Sequence, residues 1–338
     1  MSKIRILNKA DILSVFTMKM ALEAVEGAYS EKASGNGSVW PMVFHEFQPG
    51  AADLDIKSGD LGKAGIFGLK VVSWFGQNPP KGLPALYGTS LVFDLATGAP
   101  KALLDAGPIT AFRTGAAAAL GMKYLARASA RSLLMVGCGG VSAYLIAAAL
   151  LVRPELETVL VVTPHKPSRA EERLPALIDR VDAILKGSGA ERTAEILCSA
   201  DVESAVWRSD IVFTATPSYK PLIDAAWVKA GTHFSCIGSD MSGKQEISSE
   251  IFRNAKVYVD DKQQCLSVGE CEIPYKAGVI QEISGEIGEL INGTKSGRSS
   301  EQDVTIFDST GIALQDLASA AVILRKAEQN GIGVEVEL

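Results

Sequence analysis

Apolar residues recur with one period in the first third of the chain and with another after it. Over Thr17–Lys32 they return on one face of a 3.6-residue repeat, which predicts an amphipathic helix that ends at the SGNG sequence. From residue 40 to residue 105 the pattern changes to strands, clearest in Gly65–Phe75 and Ala85–Phe93, with a turn at DLATG. We predict a meander-like, antiparallel sheet here, followed by a helix of small residues over Thr110–Ala126.

From residue 132 onward, short apolar strands alternate with helices. This alternation predicts βαβ units and a parallel sheet, so the fold class is α/β with an α+β region in front of it. The predicted strands are Ser132–Val136, Thr158–Thr163, Ala194–Leu197, Asp210–Ala215, Thr232–Ile237, Ala255–Val259 and Val304–Asp308, and the predicted helices are Val141–Leu151, Glu171–Lys186, Val202–Trp207 and the closing Gly311–Gln329.

Composition excludes several classes of protein without selecting a function. The 338 residues suggest about two domains, and a formal net charge of -6 does not supply the clustered positive charge of a nucleic-acid-binding surface. Five scattered cysteines without CxxC spacing and only three histidines lead us to expect no metal site and a reducing compartment. No signal-peptide pattern opens the sequence, and its most apolar stretch, Tyr144–Val152, is shorter than a membrane span. We therefore expect a cytoplasmic protein that binds neither nucleic acid nor membrane.

A glycine-rich turn follows the first strand of the alternating region. It reads Gly137-Cys-Gly139-Gly140-Val141-Ser142, the G-x-G-x-x-G pattern with serine in third place. The first glycine permits a tight turn, the second lets the backbone approach a pyrophosphate, and a small third residue lets helix and strand pack closely. The helix that begins here offers free N–H groups to a phosphate. Apart from the cysteine, the residues of this turn are predicted to bind a dinucleotide, the alternative being an ordinary strand-to-helix turn.

The residues after the next strand distinguish the two nicotinamide dinucleotides. An NAD enzyme usually carries Asp or Glu at that strand end, where this chain has Thr163. The polar residues that follow suit a 2′-phosphate instead, by charge and hydrogen bonding. They are His165, Lys166, Ser168 and Arg169. We predict that NADP(H) is favoured over NAD(H), the alternative being that these residues are solvated loop charges.

Three charged residues are candidates for catalysis. Lys70 lies inside an apolar strand, and a buried lysine suits proton transfer. The alternative is a lysine on the solvated face of a half-buried strand. Arg113, near the predicted start of a helix, opposes the helix dipole and so requires an anion, which is either a substrate carboxylate or a structural partner. Asp240 follows the strand HFSCI, where α/β sheets place ligands, and could exchange a proton with an amine or imine nitrogen. Its alternative role is that of a turn residue.

Other residues extend the candidate site. Ala215, Thr216 and Pro217 follow a further strand end and could line the nicotinamide side of a cleft. Thr114, beside the candidate arginine, and Ser239, beside the candidate aspartate, are also predicted to bind cofactor. His45 is a candidate for substrate binding, although such a histidine is more often a structural hydrogen-bonding residue.

Several segments, in order along essentially the whole chain, resemble the ornithine cyclodeaminase/μ-crystallin family, which also contains alanine dehydrogenases and ketimine reductases. The similar stretches are GLKVVSWF around Lys70, ITAFRTGA around Arg113, LLMVGCGGVSA, DIVFTATPS, IGSDMSGKQE around Asp240 and TIFDSTGIALQD. The resemblance implies that Lys70 and Arg113 bind the substrate carboxylate and that Asp240 takes part in acid–base chemistry at the amine.

The resemblance also implies a division of the chain. Residues 126–310 would form a Rossmann dinucleotide-binding domain. Residues 1–125, completed by a C-terminal helix over 311–338, would form an α+β domain for substrate binding and dimerisation, so that the protein would be a homodimer.

The chain departs from the cyclodeaminase pattern at two places. Cyclodeaminases of the family carry a further carboxylate-binding arginine where this chain has Met42, and no arginine lies between Arg5 and Arg113. We interpret Lys57 as a substitute cation. The acid expected of an NAD site is also absent after the second Rossmann strand, whereas cyclodeaminases recycle NAD.

These observations favour an NAD(P)-dependent oxidoreductase that acts on the C=N or CH–NH bond of a small 2-imino or 2-amino acid. The alternatives are an ornithine cyclodeaminase-type ammonia lyase with recycled NAD, and a non-catalytic NADPH- and ligand-binding protein similar to μ-crystallin. The predicted substrate-binding residues are Met42, His45, Lys57, Lys70, Arg113 and Asp240.

Overall fold

A computed structural model describes residues 3–338, which divide into two compact units. One unit ends at Arg113 and resumes at Ile312, and the other is the continuous stretch Thr114–Gly311. The division falls inside a helix rather than after residue 125, so residues 114–125, which we assigned to the first domain, group with the second unit. A helix has no local pattern that marks such a division, because its hydrogen bonds continue across it.

The elements of the first unit come from both ends of the chain. Its N-terminal part contains β1 (Lys3–Leu7), α1 (Lys9–Val15), α2 (Met18–Ala33), β2 (Gly37–Val39), β3 (Val43–Gln48), β4 (Ala52–Leu61), β5 (Ile66–Phe75), β6 (Leu86–Asp94), β7 (Pro100–Asp105) and the start of α3 (Ala106–Leu125).

The second unit begins within α3 and alternates strands with helices. It contains β8 (Ser132–Val136), α4 (Ser142–Val152), β9 (Thr158–Val162), α5 (Ser168–Gly187), β10 (Glu195–Cys198), α6 (Val202–Arg208), β11 (Ile211–Thr214), β12 (Tyr219–Ile223), β13 (His233–Cys236), β14 (Gln245–Ile247), β15 (Ala255–Val259), α7 (Lys262–Val268), α8 (Glu272–Lys276), β16 (Gly285–Glu286), α9 (Ile287–Ile291) and β17 (Val304–Asp308). The chain then returns to the first unit with α10 (Ala313–Asn330) and β18 (Val334–Glu337).

The sheet of the first unit is mixed rather than purely antiparallel. Its order is β18-β1-β7-β6-β5-β4-β2, with β3 also paired to β4. The meander from β4 to β7 is antiparallel as predicted, but β1 lies parallel to β7. A parallel pairing needs a long connection, which the whole segment between those two strands supplies. The C-terminal segment is not one helix, since α10 ends at Gly331 (φ 63°) and β18 then pairs with β1.

Helices α2 and α10 cover one face of this sheet. The close approach depends on glycine in β5, because a Cβ at Gly68 would lie 2.3 Å from the carbonyl oxygen of Leu91 and 2.9 Å from Cδ2 of Leu317. On the other face Phe67 and Phe93 stack with ring centroids 5.0 Å apart, and both remain half-buried.

The second unit is built on a parallel sheet, as predicted. Its order is β10-β9-β8-β11-β13-β17-β15-β16, and each neighbouring pair is parallel. The reversal of order at β8 is the topological switch point at which doubly wound sheets bind ligands. A small parallel pair, β12 with β14, was not predicted. Among residues 3–338, no helix combines the length and the apolar character that crossing a bilayer requires.

Candidate active site

Lys70 points from β5 into the face of the sheet covered by α10. Its side chain is buried, and its Nζ lies 3.1 Å from both carboxylate oxygens of Asp316 and 3.4 Å from the hydroxyl of Thr110. The alternative of a lysine on a solvated face is therefore wrong. Alternation along the strand explains the burial, because Lys70 shares its face with Ile66 and Gly68.

Burial lowers the pKa of Lys70 to about 8. The carboxylate of Asp316 opposes this shift, while the charges of Arg113 and Lys57 add to it. For Asp316, burial alone would raise the pKa, but the nearby charges of Lys70 and Arg113 lower it below its usual value. The pair is therefore ionised at neutral pH. Lys70 can release its proton at a pH only slightly above neutral.

Arg113 contacts the same C-terminal helix. Its Nη1 donates to Oε1 of Gln315 at 2.9 Å, and its Nε lies 3.5 Å from Oδ1 of Asp316 without making a hydrogen bond. Gln315 is itself held by the hydroxyl of Tyr29. Because α3 begins at Ala106, Arg113 lies in the second turn, beyond the range of the dipole effect that we expected. The anionic partner that we expected is nevertheless present.

The remaining predicted substrate residues of the first unit differ in burial. Lys57 is buried and lies directly opposite Lys70 in the β4–β5 register. Met42 is half-buried just before β3. His45 is exposed on β3, where it pairs with Leu54 and its ring meets that of Phe47 edge-on at 4.9 Å. Lys57 thus belongs to the same buried charged cluster as Lys70, and His45 is an exposed strand residue.

The glycine turn joins β8 to α4 in the second unit. Gly137 has φ +110°, and a Cβ there would lie 2.7 Å from the carbonyl oxygen of Ala215. Gly139 and Gly140 are exposed, and a Cβ at either would meet no atom within 4 Å. The buried hydroxyl of Ser142 accepts from the Gly139 N–H at 2.9 Å and donates to the Gly137 carbonyl at 3.1 Å. Serine in third place therefore holds the turn as well as packing closely.

This turn fits a dinucleotide phosphate. Its two central glycines leave open space above the backbone, half-buried Val141 directly precedes the first turn of α4, and that helix brings its positive end to the same point. A bound dinucleotide would be held here by backbone N–H groups.

The segment after β9 differs slightly from the prediction. Helix α5 begins at Ser168 rather than at residue 171, so Ser168 and Arg169 belong to its first turn and are not loop residues. Thr163 is half-buried and donates to the carbonyl of Lys166 at 2.6 Å, while His165 and Lys166 are exposed. No carboxylate follows the strand before the helix begins.

Two strand ends carry the other predicted cofactor residues. Ala215 and Thr216 follow β11 and are half-buried, and Pro217 is exposed. The hydroxyl of buried Ser239 donates to Glu270. Thr114, the first residue of the second unit, is buried in α3.

Asp240 follows Ser239, beyond the end of β13. Its side chain is 51% exposed, and Oδ1 accepts from Nζ of Lys244 at 2.6 Å. The carboxylate is therefore accessible to a ligand while it is paired with an ammonium group.

Two groups of buried polar residues are absent from the sequence-predicted site. Asp316 and Gln315 lie on the buried face of α10, between apolar positions, and polar residues on such a face were the signal that could have identified them. Glu246 lies in β14 and Glu270 lies between α7 and α8, and both are completely buried.

The parallel sheet, the switch point and the glycine turn define a dinucleotide-binding α/β protein with a Rossmann-type unit. The chain belongs to the ornithine cyclodeaminase/mu-crystallin family, whose model matches residues 3–331. An iminosuccinate reductase of Paracoccus denitrificans is 31% identical over 97% of this chain and 98% of its own length.

Two solved structures extend the likeness to the whole fold. An archaeal alanine dehydrogenase dimer with bound NAD is 35% identical with a TM-score of 0.87, and 99% of each chain is covered. The Thermococcus litoralis Delta(1)-pyrroline-2-carboxylate reductase, in complex with NADH and L-proline, is 30% identical with a TM-score of 0.89, and covers 98% of this chain and 100% of its own.

Proposed function

We propose that this protein is an NAD(P)-dependent oxidoreductase that acts on the C=N or CH–NH bond of a small 2-imino or 2-amino acid. The observation that carries the proposal is the buried cluster in which Lys57, Lys70 and Arg113 surround Asp316. Asp55 is a second carboxylate that acts on Lys70, so three cations face two carboxylates, and a substrate carboxylate would reduce the mutual repulsion of the cations. The relatives named above, an iminosuccinate reductase, an alanine dehydrogenase and a pyrroline-2-carboxylate reductase, have names that specify such substrates.

Each residue has a distinct task in this proposal. Arg113, whose buried Nε makes no hydrogen bond within the described chain, binds the substrate carboxylate and fixes its orientation. Lys70 binds the same carboxylate and, with a pKa of about 8, holds or releases a proton near neutral pH. Asp240 accepts or returns the proton at the substrate nitrogen. A nicotinamide dinucleotide, which the backbone of residues 137–142 would hold, would supply the hydride to the imine carbon or take it from the amine carbon.

A substrate panel tests the proposal. The purified protein is given 2-oxo acids with ammonia or methylamine, and cyclic imino acids, while consumption of NADH and NADPH is followed by absorbance. We expect turnover with at least one of these substrates and its loss in Lys70→Met. No turnover across the panel, or wild-type turnover in Lys70→Met, would contradict the proposed chemistry.

A cyclodeaminase is the second candidate, because buried Lys57 stands beside Lys70 and can replace the arginine absent at Met42. The two reactions differ in their balance: a cyclodeaminase releases ammonia from a diamino acid without net change in the dinucleotide. Ammonia release from ornithine or lysine at constant absorbance would favour this second function, and stoichiometric dinucleotide reduction would favour the first.

We propose that NADP(H) is favoured over NAD(H). Support comes from Thr163 in place of an acid after β9, and from the exposed cations Lys166 and Arg169 beside the start of α5. The test is the ratio of kcat/KM for NADPH and NADH in the wild type and in Arg169→Ala, with Arg208→Ala, on the exposed end of α6, as the control. A wild-type preference for NADH, or no change in the ratio in Arg169→Ala, would contradict this assignment.

We also propose a homodimer located in the cytoplasm. Strand β3 exposes Val43, Phe44 and Phe47 to 53%, 46% and 52%, an apolar surface that a second copy of the chain would cover. The archaeal relative is a dimer. Light scattering should give twice the chain mass for the wild type and the monomer mass for Phe47→Glu, and a monomeric wild type would contradict the proposal.

The proposed location in the cytoplasm is supported by the cysteines. All five are free thiols, which fits a reducing compartment.

A further inference from the structure

Glu246 is a buried carboxylate that the proposed chemistry does not use. It is 0% exposed, in β14, and its oxygens accept hydrogen bonds from two neighbouring strand ends of the second unit. Oε1 accepts from the backbone N–H of Thr216 at 2.6 Å and from its hydroxyl at 2.8 Å. Oε2 accepts from the hydroxyl of Thr214 at 2.7 Å and from the backbone N–H of Gly238 at 2.8 Å. One side chain therefore joins the segments that follow β11 and β13.

The two segments approach Glu246 so closely that glycine is required at position 238. A Cβ there would lie 2.2 Å from the carbonyl oxygen of Thr216 and 2.6 Å from Cδ of Glu246. The backbone of each segment donates to a different oxygen of Glu246, so both oxygens must be acceptors. A glutamine could accept only one of these two N–H groups, whichever way its amide is turned.

A second buried carboxylate, Glu270, fixes Glu246 from the other side. Its Oε1 accepts from the N–H groups of Glu246 and Ile247, each at 2.8 Å. Its Oε2 accepts from the hydroxyl of Ser239. Gly238 and Ser239, the two residues before Asp240, are thus held by Glu246 and Glu270 respectively.

This arrangement is costly for the fold. Burial raises the pKa of Glu246 and of Glu270, and the charge of Glu246 raises that of Glu270 further. An apolar packing of the same strand ends would avoid the desolvation of two carboxylates. What the carboxylates provide instead is a fixed backbone geometry at residues 215–217 and 238–240, where the proposed cofactor and acid–base residues lie.

We propose that Glu246, itself held by Glu270, is a positioning residue that sets the backbone of residues 215–217 and 238–240 for dinucleotide binding and for the action of Asp240. The inference rests on the proposed function, since it requires that a nicotinamide dinucleotide binds the second unit.

The test compares three variants of the full-length protein. Glu246→Gln keeps the size of the side chain and loses one backbone acceptor. Thr214→Val removes one buried donor to Glu246 without touching the candidate cofactor residues. Glu250→Gln, in the same stretch of chain, alters an exposed carboxylate paired with Arg253 and serves as the matched control. For each variant, Kd for NADH and NADPH, kcat and KM for the imino or amino acid, and Tm are measured.

We expect Glu246→Gln to raise the dinucleotide Kd by roughly tenfold or more and to lower kcat, with a smaller effect of the same sign in Thr214→Val. The KM for the carboxylate substrate, measured at saturating dinucleotide, should stay near the wild-type value because Arg113 and Lys70 lie in the other unit. Glu250→Gln should match the wild type in all four measurements.

The results separate a positioning role from a merely structural one. Wild-type Kd and kcat in Glu246→Gln would overturn the inference, as would a fall in Tm with proportionate losses in every kinetic constant. If Glu246→Gln does not fold, a wild-type Kd in Thr214→Val overturns it instead. Failure of the wild-type protein itself to bind either dinucleotide would overturn the proposed function and this inference together.

Discussion

Replacing Asp316 by asparagine removes the carboxylate that both Lys70 and Arg113 approach. Asp316 is buried and lies 3.1 Å from the ammonium of Lys70. At an effective dielectric constant of about 20, unit charges at such a distance interact by roughly 5 kcal/mol. Since about 1.4 kcal/mol corresponds to one pKa unit, the loss of even a quarter of that interaction would lower the pKa of Lys70 by about one unit.

The sign of the change follows from the two opposing effects on Lys70. Burial already lowers its pKa to about 8, and Asp316 is the main influence in the other direction. Without it the pKa falls further, so the lysine loses its proton at lower pH. If protonated Lys70 binds the substrate or donates the proton, the alkaline limb of kcat/KM against pH moves down by about one unit or more in Asp316→Asn.

The assay is the pH profile of kcat/KM with the best substrate of the panel, measured alongside Tm. Breaking a buried ion pair also costs stability, about 3–5 kcal/mol, so a lower Tm is expected. Asp94→Asn is the control, because it removes an ion pair with Lys101 that is partly exposed in the same unit. An alkaline limb that keeps its wild-type position in Asp316→Asn would show that the limb does not belong to Lys70, and would refute the reasoning.

Three further predictions follow from single contacts. Arg113→Met should raise the substrate KM by roughly 10- to 100-fold while the dinucleotide Kd stays constant, and equal losses in both would contradict its assignment to the carboxylate. Gly139→Val should keep the wild-type Tm, because its side chain meets open space, yet weaken dinucleotide binding by roughly tenfold or more. Gly187→Val, at the end of α5, is the matched control and should bind normally. Gly68→Ala should lower the free energy of unfolding by about 1–3 kcal/mol, measured with urea, because the added Cβ meets Leu91 and Leu317; an unchanged midpoint would contradict the close packing of α10.

The parts of the fold that could be predicted are those with local patterns. The strand before Gly137 is a run of apolar residues, and the glycines after it mark the turn directly. The parallel sheet follows from the alternation of strands and helices, which needs no knowledge of distant contacts. The mixed order of the first sheet was not predictable in this way, because β1 reaches β7 and β18 only through pairings between distant residues.

The same distinction applies to the charged residues. Lys70 was found because a lysine interrupts an apolar strand, but its partner Asp316 lies 246 residues further along the chain. Arg113 was identified for its charge, and the reason given for its needing an anion was wrong because the helix starts earlier than its composition indicates. Glu246 resembles an ordinary polar residue after a Gly-Lys turn, and only the three-dimensional fold brings four donors to it.

The origin of Asp316 in the last helix has a consequence for synthesis on the ribosome. The unit Thr114–Gly311 is continuous, so its whole sequence has been made before α10 is translated. The unit that opens the chain must wait for residues 312–338, because they supply both the covering helix and the counter-ion of Lys70. A nascent chain that stops short of this helix therefore has every strand of the parallel sheet but lacks the carboxylate nearest to Lys70, so the order of translation delays assembly of the proposed substrate cluster until α10 has been made.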